Sequence, residues 1–386
     1  MQPFQFSTTR SVIHEPGAAK NLAALCQERQ AKSVFLVTDA GIVKAGLLDH
    51  IRPGFSQAGL ALGVFSEVEA DPSDRTVMTA VTQAKAQNAD LIIGFGGGSS
   101  MDVAKLVALL ASENCLQTLP EIYGVGLARG ERLPLIQVPT TAGTGSEVTP
   151  IAIVTTGETT KSGIVSPIML PDLALLDAEL TLGLPPQVTA ATGIDAMVHA
   201  IESFTSKIKK NPISDMLAIE ALKLLSGSIV TAVTQGSNIE ARSRMLLGAM
   251  LAGQAFANAP VAAVHALAYP LGGHFHIPHG LSNSLVLPHV LKFNAPSAAS
   301  DYARLAPHIL MRSVTGSDQE VTAELITGLE KLIATVGLPH RLRDMHIPED
   351  FLPTLAADAL LQQRLLVNNP REMSETEALE IYQAAY

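Results

Sequence analysis

Four residues of this 386-residue chain have the types and spacing of metal ligands. Asp195 and His199 are four positions apart, which places both side chains on one face if the segment is helical. His265 and His279 bracket a second segment, which contains two adjacent glycines. One carboxylate and three neutral imidazoles suit a divalent transition ion and leave it a net charge of about +1, which can polarise an alcohol oxygen. The alternative roles are a helix N-cap or a buried hydrogen-bond acceptor for Asp195 and a buried core imidazole for His199.

Two glycine-containing loops each follow an apolar, strand-like run. The first, residues 96–100, precedes a predicted helix, so its backbone amides and the helix dipole favour an anion such as a dinucleotide pyrophosphate. It lacks the GxGxxG fingerprint and the GK[ST] ending of a P-loop, and its alternative role is a simple tight turn. The second, residues 139–147, adds several hydroxyls and two glycines. Two such loops at the carboxyl ends of strands in one sheet predict a shared ligand site.

Asp39 lies at the carboxyl end of the first strand-like run. A carboxylate there can accept hydrogen bonds from the ribose hydroxyls of adenosine and repels a 2′-phosphate, which favours NAD over NADP. The alternative role of Asp39 is the N-cap of the helix that follows it.

Strand-like and helix-like runs alternate through the first half of the chain, and this order predicts a largely parallel, Rossmann-like sheet with both faces covered. The predicted strands are residues 33–38, 60–65, 91–95, 135–138 and 173–176, and the predicted helices are residues 41–57, 74–88 and 101–112.

The pattern changes after the second loop. Two strand-like runs, 151–154 and 161–165, flank residues 157–160 and predict a hairpin. Nearly every segment beyond residue 184 has helical character, so we predict an α/β domain at 1–180 and an all-α domain at 181–386. The main helices are expected at 189–205, 214–225, 239–258 and 320–334.

Composition limits the classes of partner. The net charge of −10 argues against non-specific nucleic-acid binding. Hydrophobic residues make up 47% of the chain and charged residues 16%, which predicts extensive buried helix and a homodimer or higher homo-oligomer. Two cysteines outside any CxxC pair, an N-terminus without signal-peptide features and no apolar stretch of about 20 residues predict a cytoplasmic protein that is not in a membrane.

The motifs in these segments resemble those of the iron-containing (group III) alcohol dehydrogenases over essentially the whole chain. The resemblance rests on four stretches, residues 96–105, 139–147, 191–202 and 265–280. It implies a dinucleotide-binding domain, a helical domain of the dehydroquinate synthase-like architecture and a metal in the cleft between them. It implies the metal ligands Asp195, His199, His265 and His279, and cofactor contacts from Asp39, Gly97, Gly98, Ser99, Thr140, Thr141, Thr144 and Lys161. Asp102 and Ser146, in the same motifs, are further candidate cofactor contacts.

The chain departs from the family pattern at two positions. Many members have proline where this chain has Ser100, and serine keeps an additional backbone amide available. Many members carry a histidine four residues after the third ligand, where this chain has Tyr269. If that histidine relays protons, the relay here is different, and Tyr269, His276 and water are the candidates.

The predicted function is interconversion of an alcohol and its aldehyde or ketone with NAD(H), with NADP a less favoured cofactor. The metal is expected to be Fe(II), with Zn or Ni fitting the same ligands. One rival is a metal-dependent lyase resembling dehydroquinate synthase, which needs basic residues near the metal. Lys207, Lys209 and Lys210 are better explained as a solvated helix end. The other rival is a non-catalytic nucleotide-binding or metal-storage protein.

Overall fold

The computed structural model describes residues 3–157 and 160–386. It forms two compact units. The α/β unit comprises Ser7–Thr141 and Gly145–Gly183. The helical unit comprises residues 3–6, Ala142–Thr144 and Leu184–Tyr386. The division into domains 1–180 and 181–386 stays a proposal.

The α/β unit is built on a six-stranded parallel sheet in the order β1-β9-β6-β4-β2-β3. The strands of this sheet are β1 Ser11–His14, β2 Ser33–Val37, β3 Ala61–Phe65, β4 Leu91–Gly96, β6 Leu135–Pro139 and β9 Leu173–Leu176. Successive residues of β2 point to opposite faces, so that Phe35 and Val37 join one hydrophobic cluster and Val34 and Leu36 the other. β1 was not predicted, because it is a four-residue edge strand whose side chains are largely exposed.

A smaller sheet has the order β5-β8-β7. Its strands are β5 Gly124–Val125, β7 Ile151–Thr156 and β8 Thr160–Val165, and β7 and β8 are antiparallel. The two arms of the predicted hairpin therefore pair as expected, while residues 158 and 159 of its predicted turn lie outside the described part of the chain.

The helices of this unit are α1 Leu22–Glu28, α2 Ala40–Lys44, α3 Arg52–Gln57, α4 Asp74–Ala86 and α5 Gly98–Leu110. The single helix predicted over 41–57 is wrong. Gly46, with φ of +71°, ends helical geometry, and Pro53 starts the next helix in its first turn. α5 begins three residues earlier than predicted, because Gly97 caps it directly after β4.

The helical unit contains nine α-helices among its described residues. They are α6 Pro186–Thr205, α7 Pro212–Thr234, α8 Ile239–Asn258, α9 Ala263–Phe275, α10 His279–Ile309, α11 Asp318–Thr335, α12 Leu352–Leu360, α13 Gln363–Leu366 and α14 Glu375–Ala385. α9 and α10 agree with the prediction that nearly every segment beyond residue 184 is helical, although α9 contains Pro270 and α10 contains Pro288, Pro296 and Pro307.

Within the described residues, α7 is long and apolar enough to cross a membrane by length and composition alone. The expectation that no stretch approaches this length was therefore wrong. α7 packs against α6, α8 and α10 within the helical unit, as a core helix of such a unit does. α8 and α9 pass the same test only as a pair, and they are bent by 106° where they meet.

Candidate metal centre and cofactor loops

One face of α6 presents three buried acid–base side chains, Asp195, His199 and Glu202. Their spacing of four and three residues brings them onto a common face. The ring of His199 stacks on Phe256 of α8, with 4.4 Å between the ring centroids, and this packing restricts the imidazole's orientation. The helical interpretation of the Asp195–His199 pair is therefore confirmed, and the N-cap alternative for Asp195 is wrong, because Asp195 lies in the interior of α6.

The other two candidate ligands lie at the beginnings of helices. His265 is in the first turn of α9, and His279 is the first residue of α10. Gly280 follows, and a Cβ atom there would lie 2.3 Å from the carbonyl oxygen of Ala191 on α6. Glycine therefore permits the close approach of α10 to α6 that brings His279 towards Asp195.

The four candidate ligand atoms, on Asp195, His199, His265 and His279, all lie within 4.8 Å of one another. Asp195 Oδ1 is 3.5 Å from His279 Nε2 and 4.0 Å from His265 Nε2. Metal–ligand bonds of about 2.1 Å would separate tetrahedral ligands by about 3.4 Å. A divalent ion therefore fits this donor set after small contractions of the side chains.

Burial sets the ionisation of this cluster. Loss of solvation lowers the pKa of His199 to about 3, so its imidazole is neutral at physiological pH, as a metal ligand must be. Burial by itself would raise the pKa of Asp195. Charge on the neighbouring histidines, when they are protonated, and the hydrogen bond from the Asn283 amide act against burial, so the pKa of Asp195 lies below its ordinary value and the group is a carboxylate.

Glu202 orients His265. Its carboxylate is 2.6 Å from His265 Nδ1 and accepts hydrogen bonds from the backbone amides of Ala262 and Val264, at 3.0 and 2.6 Å. A carboxylate there keeps the proton on Nδ1 and leaves the Nε2 lone pair free for a ligand. No functional role for Glu202 was predicted from the sequence. The sequence feature that could have indicated a role is the position of Glu202 seven residues after Asp195, on the same helical face.

Asn283 was also missed, although it lies four residues after His279 on α10. Its Nδ2 donates to Asp195 Oδ1 at 2.6 Å and is 3.3 Å from Nε2 of both His265 and His279. Its Oδ1 is a buried acceptor without a hydrogen-bond partner among the described residues. Such an orphaned oxygen beside four donor atoms agrees with the presence of a further group at this site.

The two side chains that are candidates for a proton relay have different surroundings. The ring of Tyr269 lies beside His279, with 5.9 Å between the ring centroids. His276 is an exposed residue that ends α9 in a left-handed conformation, with φ of +53°. Tyr269 is therefore the candidate that contacts a proposed ligand.

In the α/β unit, the first glycine loop joins β4 to α5. Gly96 has φ of +153°, and a Cβ atom there would lie 2.7 Å from Ser100 Oγ, so the turn requires glycine. Asp39 follows the neighbouring strand β2. Its Oδ1 accepts from the amide of Ile42 at 3.0 Å and caps α2, while its Oδ2 accepts from Ser100 Oγ at 3.3 Å. Asp39 is therefore the N-cap of α2, which was one of its two predicted roles, and its Oδ2 lies at the glycine loop.

The second loop is tied to the first. The buried Thr140 donates its amide hydrogen to the carbonyl of Gly96 at 2.9 Å, and Thr141 Oγ1 lies 3.7 Å from the position a Cβ would take on Gly97. Thr140 and Thr141 therefore meet the glycine loop within the α/β unit, whereas Thr144 belongs to the helical unit.

The remaining cofactor candidates have protein partners. Ser99 Oγ donates to the carbonyl of Ala70, and Lys161 pairs with Asp71 at 2.7 Å. Asp102 and Ser146 hydrogen-bond to each other at 2.6 Å. Lys161 lies on β8 and Ser146 in the turn before β7, so the predicted set spans both sheets of the unit.

Comparisons with known proteins agree with these features. A model of the iron-containing alcohol dehydrogenases matches residues 9–178, and a model of the C-terminal part of the Fe-containing alcohol dehydrogenase family matches residues 189–386. Long-chain-alcohol dehydrogenase 1 of Geobacillus thermodenitrificans (strain NG80-2) is 41% identical over 371 residues, which cover 96% of this chain and 93% of the relative.

Two solved structures are similar over the full length. A 1,3-propanediol oxidoreductase has a TM-score of 0.95 and 34% identity, with 100% of each chain covered. A sulfoacetaldehyde reductase from Bifidobacterium kashiwanohense, in complex with NAD+, has a TM-score of 0.88 and 27% identity, covering 100% of this chain and 99% of the other. These likenesses confirm the predicted fold, an α/β part and an all-helical part of the dehydroquinate synthase-like architecture.

Proposed function

Because this chain belongs to the iron-containing alcohol dehydrogenase family, it is an NAD-linked oxidoreductase of alcohols and aldehydes, and we propose that Asp195, His199, His265 and His279 hold its divalent metal. The observation that carries the proposal is the convergence of their four ligand atoms within 4.8 Å, three of the four residues being buried. Fe(II) is the metal we expect, and Zn or Ni fit the same donors.

When bound, the divalent ion supplies a Lewis acid that lowers the pKa of an alcohol hydroxyl, and NAD supplies the hydride acceptor. The protein's part is to present neutral imidazoles and one carboxylate, which leave the ion a net charge of about +1. Glu202 keeps the proton of His265 on Nδ1. Tyr269, whose ring lies beside His279, is the residue we propose to pass the alcohol proton towards solvent.

We propose that NAD binds at the two loops of the α/β unit. The supporting observation is that Asp39, the glycine loop and Thr140 meet through hydrogen bonds at the carboxyl ends of β2, β4 and β6. Lys161 would exchange its pairing with Asp71 for the cofactor. The proposed contacts are Asp39, Gly97, Gly98, Ser99, Thr140, Thr141, Thr144 and Lys161.

Metal removal tests the function. Protein purified without oxygen and loaded with Fe(II) should oxidise NADH in the presence of a short aldehyde, and a chelator should remove nearly all of this activity. Fe(II) added back should restore it, because the protein supplies the ligands and the ion supplies the Lewis acid. The measurement is NADH absorbance together with metal analysis of each sample. Full turnover in protein shown to be metal-free would contradict the proposed mechanism.

The cofactor preference gives a second test. Asp39→Ser should raise kcat/KM for NADPH relative to NADH by about tenfold or more, because the carboxylate that repels a 2′-phosphate is lost. Serine can still cap α2, so the helix is retained. The measurement is the ratio of the two kcat/KM values with one aldehyde. Asp74→Ser, in the first turn of α4, is the control and should leave the ratio unchanged. An unchanged ratio in Asp39→Ser would place the ribose elsewhere.

The substrate proposal is a primary alcohol and its aldehyde. The relatives act, by their names, on long-chain alcohols, 1,3-propanediol and sulfoacetaldehyde, all of which fit this chemistry. A lyase resembling dehydroquinate synthase is less favoured because the candidate basic residues have other partners. Lys210 pairs with Asp215 at 2.8 Å, and Lys207 is an exposed residue 3.9 Å from Glu372.

We also propose a homo-oligomeric state and a cytoplasmic location. The apolar composition, with a mean hydropathy of +0.27, supports the first. Both cysteines, Cys26 and Cys115, are free and buried, which agrees with a reducing compartment.

A further inference from the structure

Lys105 is a fully buried lysine on α5, in the α/β unit. Its Nζ donates to Ser146 Oγ at 2.7 Å, to Thr149 Oγ1 at 3.2 Å and to the carbonyl of Ile151 at 2.6 Å. It also lies 3.4 Å from Asp102 Oδ1. One ammonium group therefore connects the helix that follows the glycine loop with the segment that follows the second loop.

The side chains around Lys105 have little bonding capacity left. Ser146 Oγ accepts from Lys105 and donates to Asp102 Oδ1 at 2.6 Å. The other carboxylate oxygen of Asp102 accepts from the amide of Ile153 on β7 at 3.0 Å. A serine has one hydroxyl hydrogen, so Ser146 cannot also donate to a cofactor while it donates to Asp102.

We propose that Lys105 is a positioning residue for the cofactor. Together with Asp102 and Ser146 it forms a clamp that fixes the end of the second loop against α5, and so fixes the spacing of the two loops that bind NAD(H). In this arrangement Ser146 acts by holding the loop and does not donate to the cofactor. The inference rests on the proposed binding of NAD(H) at these loops.

The physical cost of this arrangement argues for a role. Burial lowers the pKa of Lys105, because a charged amine loses its hydration, and the carboxylate of Asp102 acts in the opposite direction. An apolar side chain of similar length would avoid that cost but would leave the carbonyl of Ile151 and the hydroxyl of Thr149 without their donor. A buried network whose members are all hydrogen-bonded holds its parts in one geometry.

The test is the affinity of the metal-loaded enzyme for NADH, measured by fluorescence titration well below the unfolding temperature. Lys105→Met keeps the length of the side chain and removes the donor, and we expect its Kd for NADH to rise about tenfold or more. Thr149→Val removes a single acceptor, and we expect a rise of about two- to fivefold. Thr322→Val is the matched control and should leave the Kd unchanged, because Thr322 is a buried threonine of α11 whose hydroxyl lies near the carbonyls of Ala299 and Asp318 in the helical unit.

Metal affinity separates positioning from general destabilisation. The metal Kd should be the same in Lys105→Met, Thr149→Val and the parent, because the clamp lies wholly within the α/β unit. The inference is overturned if the Kd for NADH is unchanged in Thr149→Val. It is also overturned if the Kd rises equally in Thr322→Val. Both outcomes can be measured even if Lys105→Met does not fold. A parent enzyme that holds its metal but does not bind NADH instead overturns the proposed function.

Discussion

The His279→Ala variant, loaded with Fe(II), should lose at least about a thousandfold in turnover, the largest effect we expect from any single substitution. Removing one imidazole lowers the affinity of the site for the ion, because only one carboxylate, that of Asp195, and two imidazole nitrogens remain to bind it. The measurement is steady-state kcat with NADH and an aldehyde, alongside the metal content of the variant. A variant that keeps both metal and turnover would exclude His279 as a ligand.

Exposure makes His279 suitable for chemical rescue. The side chain of His279 is 36% exposed, whereas that of His265 is 3% exposed. Free imidazole should therefore enter the cavity left in His279→Ala and restore part of the turnover, while His265→Ala should not respond. In Co(II)-loaded protein, the visible absorption of the tetrahedral ion should weaken in both variants and return with imidazole only in His279→Ala.

The matched control is another histidine of the same helix. His308 lies in the last turn of α10, far along the helix from His279. His308→Ala should leave metal content and turnover unchanged. A comparable loss in that variant would show that the effect of His279→Ala arises from damage to α10 and not from a missing ligand.

Local geometry accounts for one pair of the proposed ligands, and the resemblance to the family supplied the other pair, His265 and His279, which lie on different helices. Asp195 and His199 need only a helical segment to share a face, and α6 provides it. The neighbours that tune these ligands could not be predicted. Glu202 meets His265 only because α9 starts beside α6, and Asn283 meets Asp195 only because Gly280 permits close packing. Those contacts depend on the arrangement of helices, which no short motif encodes.

In the fold, too, features set by local sequence could be predicted, and features that depend on tertiary packing could not. Buried strands such as β4, with all six residues buried, are visible as continuous apolar runs. The break between α2 and α3 depends on the left-handed Gly46, whose conformation is not determined by its neighbours in sequence. Lys105 looks like an ordinary helix surface residue in the sequence, and its complete burial depends on β7 packing against α5.

The Glu202→Gln variant should bind its metal about 10- to 100-fold more weakly, the second large effect we expect. The two carboxylate oxygens face three donors, namely His265 Nδ1 and the amides of Ala262 and Val264. A glutamine must turn its amino group towards at least one of them, which places donor against donor. If the amino group faces Nδ1, the imidazole proton moves to Nε2 and blocks the nitrogen that the ion needs.

The measurement is the metal Kd from competition with a chromophoric chelator, with the Co(II) spectrum as a second readout of coordination. Glu147→Gln is the matched control, because Glu147 is also a buried acidic residue, whose pKa burial raises to about 7, but it lies in the α/β unit. We expect its metal Kd to equal that of the parent. Equal metal affinity in Glu202→Gln and the parent would mean that His265 is oriented by packing against His199, whose ring lies 4.8 Å away, and not by its carboxylate partner.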